Sequence, residues 1–418
     1  HEAVHRLVRL QPNGAVDGAF AAATGVLATP VSSLALQPDG KVVVGTGESV
    51  ARYLANGSPD AGFTPFASGA GYNVFNVVSL ALQADGRVLA AGTISGTANG
   101  TPVNGLVRLT TTGAVDPSFT RLVTDPVVGA SAGGDAVLVQ ADGRIVWAGR
   151  FRTGPTAFLY RVARYESTGA LDATFNNTAL YSFSGSTTPG RVFALAQQAD
   201  GKLLVGGNFN QVDGATRYNV ARLTTAGVLD AGFASPVSIS GTVRALAIQP
   251  NGRVLLGGNI STATTPIRSN LARVLTDGQL DLTFAATANP NGQVRSLAVQ
   301  PDGGILLTGG FSIIGGQVRL GVARITAPNV LSVQAPAAVA ARTVAWPVPA
   351  HGQLHVLPDF SARPRALTLL DAAGRAVRTQ AVSGFTEQLL EVEGLPAGLY
   401  LLQVSYPAGT VTRRIVVQ

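Results

Sequence analysis

Cysteine is absent from the 418-residue sequence, which excludes disulfides and thiolate metal sites without fixing the compartment. Methionine is absent too, no signal peptide is recognisable, and the first residues run straight into a repeat; the chain reads as a mature or trimmed segment. No run of eighteen apolar residues occurs, so no membrane span is expected. Lysine is nearly missing: Lys41 and Lys202 stand against 28 arginines, for a net charge of +7. The arginines are scattered and do not form basic runs interleaved with aromatics, so the signature of a nucleic-acid binder is lacking. A basic surface still attracts polyanions such as acidic polysaccharide. Charged residues make up only 13% and aromatics 6%, whereas glycine numbers 50. That balance fits an all-β, turn-rich protein.

What is present is repetition. The unit ALAIQPNGRVLLGGNI (245–260) has close copies around 34–46, 80–93, 137–151, 195–209 and 297–311. Its turn residues are Asp39, Asp85, Asp142, Asp200, Asn251 and Asp302, spaced by 46, 57, 58, 51 and 51 residues. A period of this size marks a repeat architecture. Asp/Asn-Gly between two short apolar runs predicts a hairpin, here named strands A and B, with the glycine taking the positive φ. The turn itself accounts for the acid.

A second unit alternates with the first. An arginine is followed by glycine at five residues, aspartate at eight and phenylalanine at eleven. It reads VRLQPNGAVDGAF (8–20), ARYLANGSPDAGF (51–63), VRLTTTGAVDPSF (107–119), ARYESTGALDATF (163–175), ARLTTAGVLDAGF (221–233) and ARVLTDGQLDLTF (272–284). The glycine suits a hairpin loop joining strands C and D. Folding about it brings Arg222 opposite Asp230, and likewise Arg9/Asp17, Arg52/Asp60, Arg108/Asp116, Arg164/Asp172 and Arg273/Asp281. Each pair is expected to close an ion pair contributing about 0.2–1 kcal/mol, with the aspartate also tying down the backbone before the phenylalanine. The phenylalanines then read as wedges between neighbouring sheets.

This alternation resembles the delta-60 repeat family of bacterial surface proteins, over residues 8 to about 326. The resemblance implies a β-propeller-like fold and a secreted protein, and it carries no agreed activity. Residues 6–20 supply a C–D pair with no A–B before it, and 294–326 end in a strand-C-like VARIT (322–326) with no D unit after it. The expectation is a six-bladed ring over residues 1–326, residues 6–20 completing the blade built from 294–311. VARIT duplicates that strand, so a seven-bladed ring, an open arc and strand exchange between molecules stay open.

Three local patterns invite a site. HEAVH at 1–5 matches the zinc-protease motif, with His1 and His5 as ligands and Glu2 as base, but it lies at the chain start without a third ligand. Asn208, Asn210 and Asp213 lack calcium-loop spacing and read as a hydrogen-bonded loop. Glu48 and Glu166 are non-repeated acids, each isolated. No metal or cofactor is expected.

Residues 327–343 break the repeat and read as a linker. Residues 344–418 show short alternating strands between turn residues, as in a small Ig-like β-sandwich. WPVPAHGQLHV (346–356), LTLLDAAGRAV (367–377), GLPAGLYLLQV (394–404) and RRIVVQ (413–418) resemble the type A sorting domain of the type IX secretion system. The motif residues are Gly374, Arg375, Gly394, Leu395, Pro396, Gly398 and Tyr400. The resemblance implies the type IX machinery as partner, export across the outer membrane and attachment to the cell surface. The functional expectation is a secreted surface module, not an enzyme, that takes a glycan or protein ligand or builds a surface layer by self-association. The alternative is an extracellular polysaccharide-cleaving enzyme on a propeller scaffold.

Overall fold

The computed structural model describes residues 7–25, 27–69, 72–98, 101–119, 133–151, 159–176, 181–182, 190–233, 239–263, 267–284, 289–300, 302–326, 337–371, 376–406 and 409–418. Within them six A–B–C units recur, each with B between antiparallel A and C. Strand A spans Val31–Leu36, Tyr72–Leu82, Gly133–Val139, Arg191–Gln197, Ile239–Ile248 and Val294–Val299 in repeats one to six. Strand B spans Val42–Thr46, Val88–Ala98, Ile145–Phe151, Leu203–Asn208, Val254–Thr262 and Gly304–Gly309. Strand C spans Ser49–Tyr53, Leu106–Leu109, Leu159–Tyr165, Val220–Leu223, Ser269–Val274 and Val322–Thr326. The turn glycines Gly40, Gly86, Gly143, Gly201, Gly252 and Gly303 all take positive φ, as an Asp/Asn-Gly hairpin requires.

Strand B is buried on both faces, which its unbroken apolar run anticipates. One face packs on the next repeat. A Cβ on Gly206 would come within 2.7 Å of Val243 Cγ1, and one on Gly257 within 2.7 Å of Val294 Cγ1. Glycine there lets successive sheets approach.

Among the described residues a strand D forms on strand C in repeat one alone, as the two residues Phe66–Ala67 paired with Ser49 and Val50. Strand C is followed by one antiparallel bridge, such as Leu223↔Leu229 or Val274↔Leu280, and the chain then turns. The aspartate is the reason. Its Oδ1 accepts the amide two residues on, as in Asp230–Gly232 and Asp281–Thr283 at 2.9 Å each, and this local turn competes with a ladder. In the first unit Asp17 instead caps a short helix, Gly18–Thr24, accepting from the Phe20 amide.

The last blade also departs from expectation. Val322–Thr326 takes the C position beside Gly304–Gly309, with Leu306 opposite Arg324. Residues 7–20 do not complete that blade. They pack on the first repeat, where Leu7 and Phe20 share a cluster with Val44 and Tyr53. VARIT is covalently next to its A–B pair, so it fills the slot with a far shorter loop to close.

In the C-terminal part Val344–His351 pairs with Gln353–Leu357, then bridges Val417 in parallel through Ala350. Seven strands thus enclose one core that includes Leu354, Val356, Leu369, Leu402, Val404 and Ile415. The segment read as a linker is only partly so. Ala337–Arg342 forms a helix whose Val339 packs on that core; its alanines favour helix over an extended tether.

Candidate functional site

The ion pairs anticipated from the eight-residue offset form in all six units. Arginine Nε or Nη2 meets aspartate Oδ2 at 2.6–2.9 Å. Each guanidinium also lies over the phenylalanine of its own unit, with centroid distances of 4.6–4.9 Å. Five of the six then reach the next repeat. Nη1 donates to the backbone carbonyl of Ala55 from Arg9, Thr111 from Arg52, Ser167 from Arg108, Thr225 from Arg164 and Thr276 from Arg222. The phenylalanine wedges in the same direction: Phe175 lies 2.7 Å from where a Gly227 Cβ would be. A second cation, from the residue after the A–B turn, reaches the same carboxylate. Lys202 Nζ stands 3.0 Å from Asp230, and Arg87 Nε 2.9 Å from Asp116. For Asp230 burial raises the pKa, but the Lys202, Gly232 and Arg222 hydrogen bonds outweigh it and hold the carboxyl at about 2. These acids are structural. A cleft of about 330 Å³ between repeats three and four is lined by this same clamp machinery, including Arg144, Arg164 and Thr174.

The position that breaks the repeat lies elsewhere, on strand A. In all six repeats the A–B register slips, leaving Ser32, Val78, Asp135, Phe193, Arg244 and Arg295 as the extra residue of a β-bulge; repeat two slips a second time, between Val74 and Asn76. Each sits seven residues before the turn acid or amide. The bulge is written in the second glycine of strand B. A Cβ on Gly207 would fall 1.9 Å from the Arg191 carbonyl oxygen, and one on Gly258 2.0 Å from that of Thr242. In repeats two to six glycine lets that carbonyl turn in; in repeat one Thr46 holds the equivalent place. A bulge re-aims the side chain it carries.

Successive A strands pack on one another. A cleft of about 200 Å³ is lined by strand-A residues of repeats two to six, among them Ser79, Phe193, Arg244 and Arg295. The bulge residues of the later repeats therefore converge. Arg191 chelates Asp135 from the neighbouring repeat, with Nε 3.3 Å from Oδ2 and Nη2 on Oδ1. Both Arg191 and Arg244 place a guanidinium over the Phe193 ring at 4.9 Å. Among the described residues Arg295 has no ion pair. Burial raises the Asp135 carboxyl above its ordinary range, against the hydrogen bond and charge of Arg191 and the charge of Arg244. The result is two guanidinium groups, those of Arg244 and Arg295, on the lining of a small polar cleft, with the Arg191–Asp135 pair set beside it across Phe193.

None of these five residues was anticipated. Asp135 was passed over because the repeat region's acids were read as repeat-fixed, and the signal that finds it is the column seven residues before the turn. Glu48 sits in the B–C turn of repeat one, and Glu166 in the C–D turn of repeat three, where it faces Arg144 Nε at 3.4 Å. Asp213 and Gly214, with φ of 48° and 79°, form the two-residue turn of a small hairpin between Gln211–Val212 and Ala215–Thr216. Gly315 and Gly316 do the same in repeat six. His1, Glu2 and His5 lie outside the described residues, and among the described residues no group of three or more His, Asp or Glu is placed to hold a metal.

Of the sorting-motif residues, Gly374 and Arg375 lie outside the described residues. Gly394 takes φ of 76° and Leu395 packs on the core. The buried Tyr400 donates its hydroxyl to the Pro396 carbonyl at 2.7 Å, closing the turn that leads through Gly398 into the strand Gly398–Tyr406.

Residues 37–63, 83–119, 140–175, 198–233, 249–284 and 300–328 match a β-propeller domain of unknown function, DUF5122. Residues 344–418 match the secretion system C-terminal sorting domain. The chain is a DUF5122 β-propeller repeat protein with a type IX sorting domain. That domain marks it for secretion and attachment to the cell surface. Among the described residues no helix is long and apolar enough to cross a membrane. No curated protein matches the chain. Among solved structures, PorZ, an essential surface component of the type IX secretion system of Porphyromonas gingivalis, aligns at 12% identity and TM-score 0.43 over 97% of this chain and 54% of its own. The DUF5122 chain thus spans about half of that structure. The extracellular domain of the putative one-component system BT4673 from B. thetaiotaomicron aligns at 14% and 0.46, over 96% and 46%. A gluconolactonase from Xanthomonas campestris aligns at 14% and 0.38, over 72% and 87%.

Proposed function

We propose that this chain is a surface-attached binding module: a six-bladed propeller followed by an Ig-like sorting domain delivered by the type IX machinery. Its ligand, a surface glycan or protein, meets the inner face where the A strands converge. The observation that carries this reading is the bulge column. Clamp residues, turn acids and glycines recur from repeat to repeat, whereas the bulge residues are Ser, Val, Asp, Phe, Arg and Arg. A scaffold that repeats everything except the residues aimed into a cleft is built to present them. Adhesion and self-assembly into a surface layer both follow from such a module. A binding screen of the purified chain against extracellular glycans and surface proteins, with sedimentation to read self-association, tests it. No binding by any class and only monomers would overturn it.

The second reading, a polysaccharide-cleaving enzyme, draws on Asp135, whose burial raises its pKa as a general acid requires. Against it, glycoside hydrolysis ordinarily uses two carboxylates flanking the bond, and the bulge column holds one. Reducing ends released by the wild type and not by Asp135→Asn would favour the enzyme.

A further inference from the structure

We propose that the inner cleft is an oxyanion site, taking a carboxylate or sulfate group of an acidic polysaccharide on Arg244 and Arg295. The proposal rests on the binding-module reading and names its ligand. Arg244 and Arg295 occupy the same bulge position in adjacent repeats, both are exposed, and both line the cleft of about 200 Å³. Among the described residues neither has a carboxylate in salt-bridge contact. At each of the six clamp arginines the fold supplies an aspartate eight residues on. It supplies none here.

Arg191 differs from the other two. Asp135 from the preceding repeat engages it through both carboxylate oxygens, so its charge is already answered. Arg244 and Arg295 are left as the groups with donors to spare. A guanidinium offers a planar fork matched to carboxylate and sulfate, and two forks on adjacent strands grip an oxyanion from two sides. Phe193 sets the geometry, since Arg244 lies over its ring and is held toward the cleft. Ser79 and Ser296 on the same lining add hydroxyl groups that suit sugar oxygens. The cleft is smaller than the roughly 300–1,000 Å³ of sites that enclose drug-sized ligands. It fits one acidic group and its sugar ring, and it excludes a folded partner. A surface-attached protein meets such groups on extracellular polysaccharide chains, and its net charge of +7 draws them in.

The test titrates the full chain with polygalacturonate as a carboxylate probe, chondroitin sulfate as a sulfate probe, and dextran as a neutral one. Arg244→Ala and Arg295→Ala should each weaken binding of the acidic probes by about tenfold, the effect of losing one charge-assisted contact. Asp135→Asn should tighten it several-fold by freeing Arg191; this variant leaves no buried cation stranded, because the Arg191 side chain is 44% exposed. Arg319→Ala removes the same charge from an exposed hairpin of repeat six and should change nothing, which separates site binding from general attraction. The response to each acidic probe assigns the site to carboxylate, sulfate or both. Acidic probes that bind equally to wild type and both arginine variants would overturn the proposal. Dextran or a protein ligand binding in place of acidic probes would overturn it while leaving the binding module intact; no binding by anything would remove both.

Discussion

Arg164→Ala is expected to be among the most damaging single changes in the repeats, although the same substitution at Arg324 should hardly register. Both occupy the same place on strand C. Arg164 has a side chain 5% exposed, and its partner Asp172 is 2% exposed. Its Nε donates to Asp172 at 2.6 Å, its Nη1 to the Thr225 carbonyl of the next repeat at 2.6 Å, and its guanidinium covers Phe175 at 4.7 Å. Removing it takes from a buried carboxylate its nearest cation, with Arg144 Nε at 3.7 Å, orphans an inter-repeat carbonyl and uncovers a ring. Loss of one partner of a buried pair costs about 3–5 kcal/mol. Arg324 is 42% exposed and meets only Gln300 and Asp302 among the described residues, so its loss should cost about 1 kcal/mol or less.

Urea unfolding followed through Trp147 fluorescence reads the difference, since Trp147 is fully buried in strand B beside Ala163. With a slope of a few kcal/mol per M, Arg164→Ala should lower the midpoint by about 1 M or more. The double variant Arg164→Ala/Asp172→Ala should cost less than the two single losses together, because no charge is then left unpaired. Equal midpoints for Arg164→Ala and Arg324→Ala would refute the reasoning, as would strict additivity in the cycle.

Gly113→Ala should destabilise far more than Gly143→Ala. Both have positive φ, so each substitution carries a left-handed penalty of about 1–2 kcal/mol; only at Gly113 would the new Cβ also meet a carbonyl, that of Thr64, at 2.1 Å. Equal denaturation midpoints would contradict this. Tyr400→Phe removes the hydroxyl bond to Pro396 and should cost the C-terminal domain about 1 kcal/mol, read from its thermal transition. Acid should weaken the repeats through the clamp carboxylates. Asp230 is held at about 2 against an ordinary 3.8, so the stability it contributes is complete above about pH 4 and is lost as pH falls toward 2. A urea midpoint that stays flat across that window would sink the assignment.

How much of this could be read beforehand follows from which residues repeat. Arg222 and Asp230 announced their contact because a fixed offset across a glycine turn leaves two side chains one place to meet. Strand D was misjudged for a local reason. Asp230 uses one oxygen on Arg222 and the other on the Gly232 amide, and the second bond ends the ladder that alternation alone would extend. The closing of the last blade was misjudged because two segments carry the same strand-C pattern, and pattern cannot say which one is tethered beside Gly304–Gly309. The inner cleft was missed because repeat reading discards what varies. Asp135, Phe193, Arg244 and Arg295 look like noise until they are aligned on the turn.

That column is free to vary for a physical reason. Cohesion between repeats is carried by the arginine clamp, the phenylalanine wedge and the valine seated on a strand-B glycine, none of which involves the bulge residue. The bulge itself is set by backbone: in repeats two to six the facing glycine leaves room for a strand-A carbonyl oxygen 1.8–2.2 Å from where a Cβ would stand. Ser32 and Asp135 also bridge to a neighbouring repeat, but the exposed Arg244 and Arg295 can be replaced without disturbing the sheet, which alters what the cleft recognises and leaves the fold intact. Changing Gly258 does the reverse: a Cβ there would fall 2.0 Å from the Thr242 carbonyl oxygen and force strands A and B apart. Gly258→Ala should therefore lose stability and ligand together, whereas Arg244→Ala should lose ligand alone, and paired urea midpoints and binding titrations on the two variants separate the scaffold from the site.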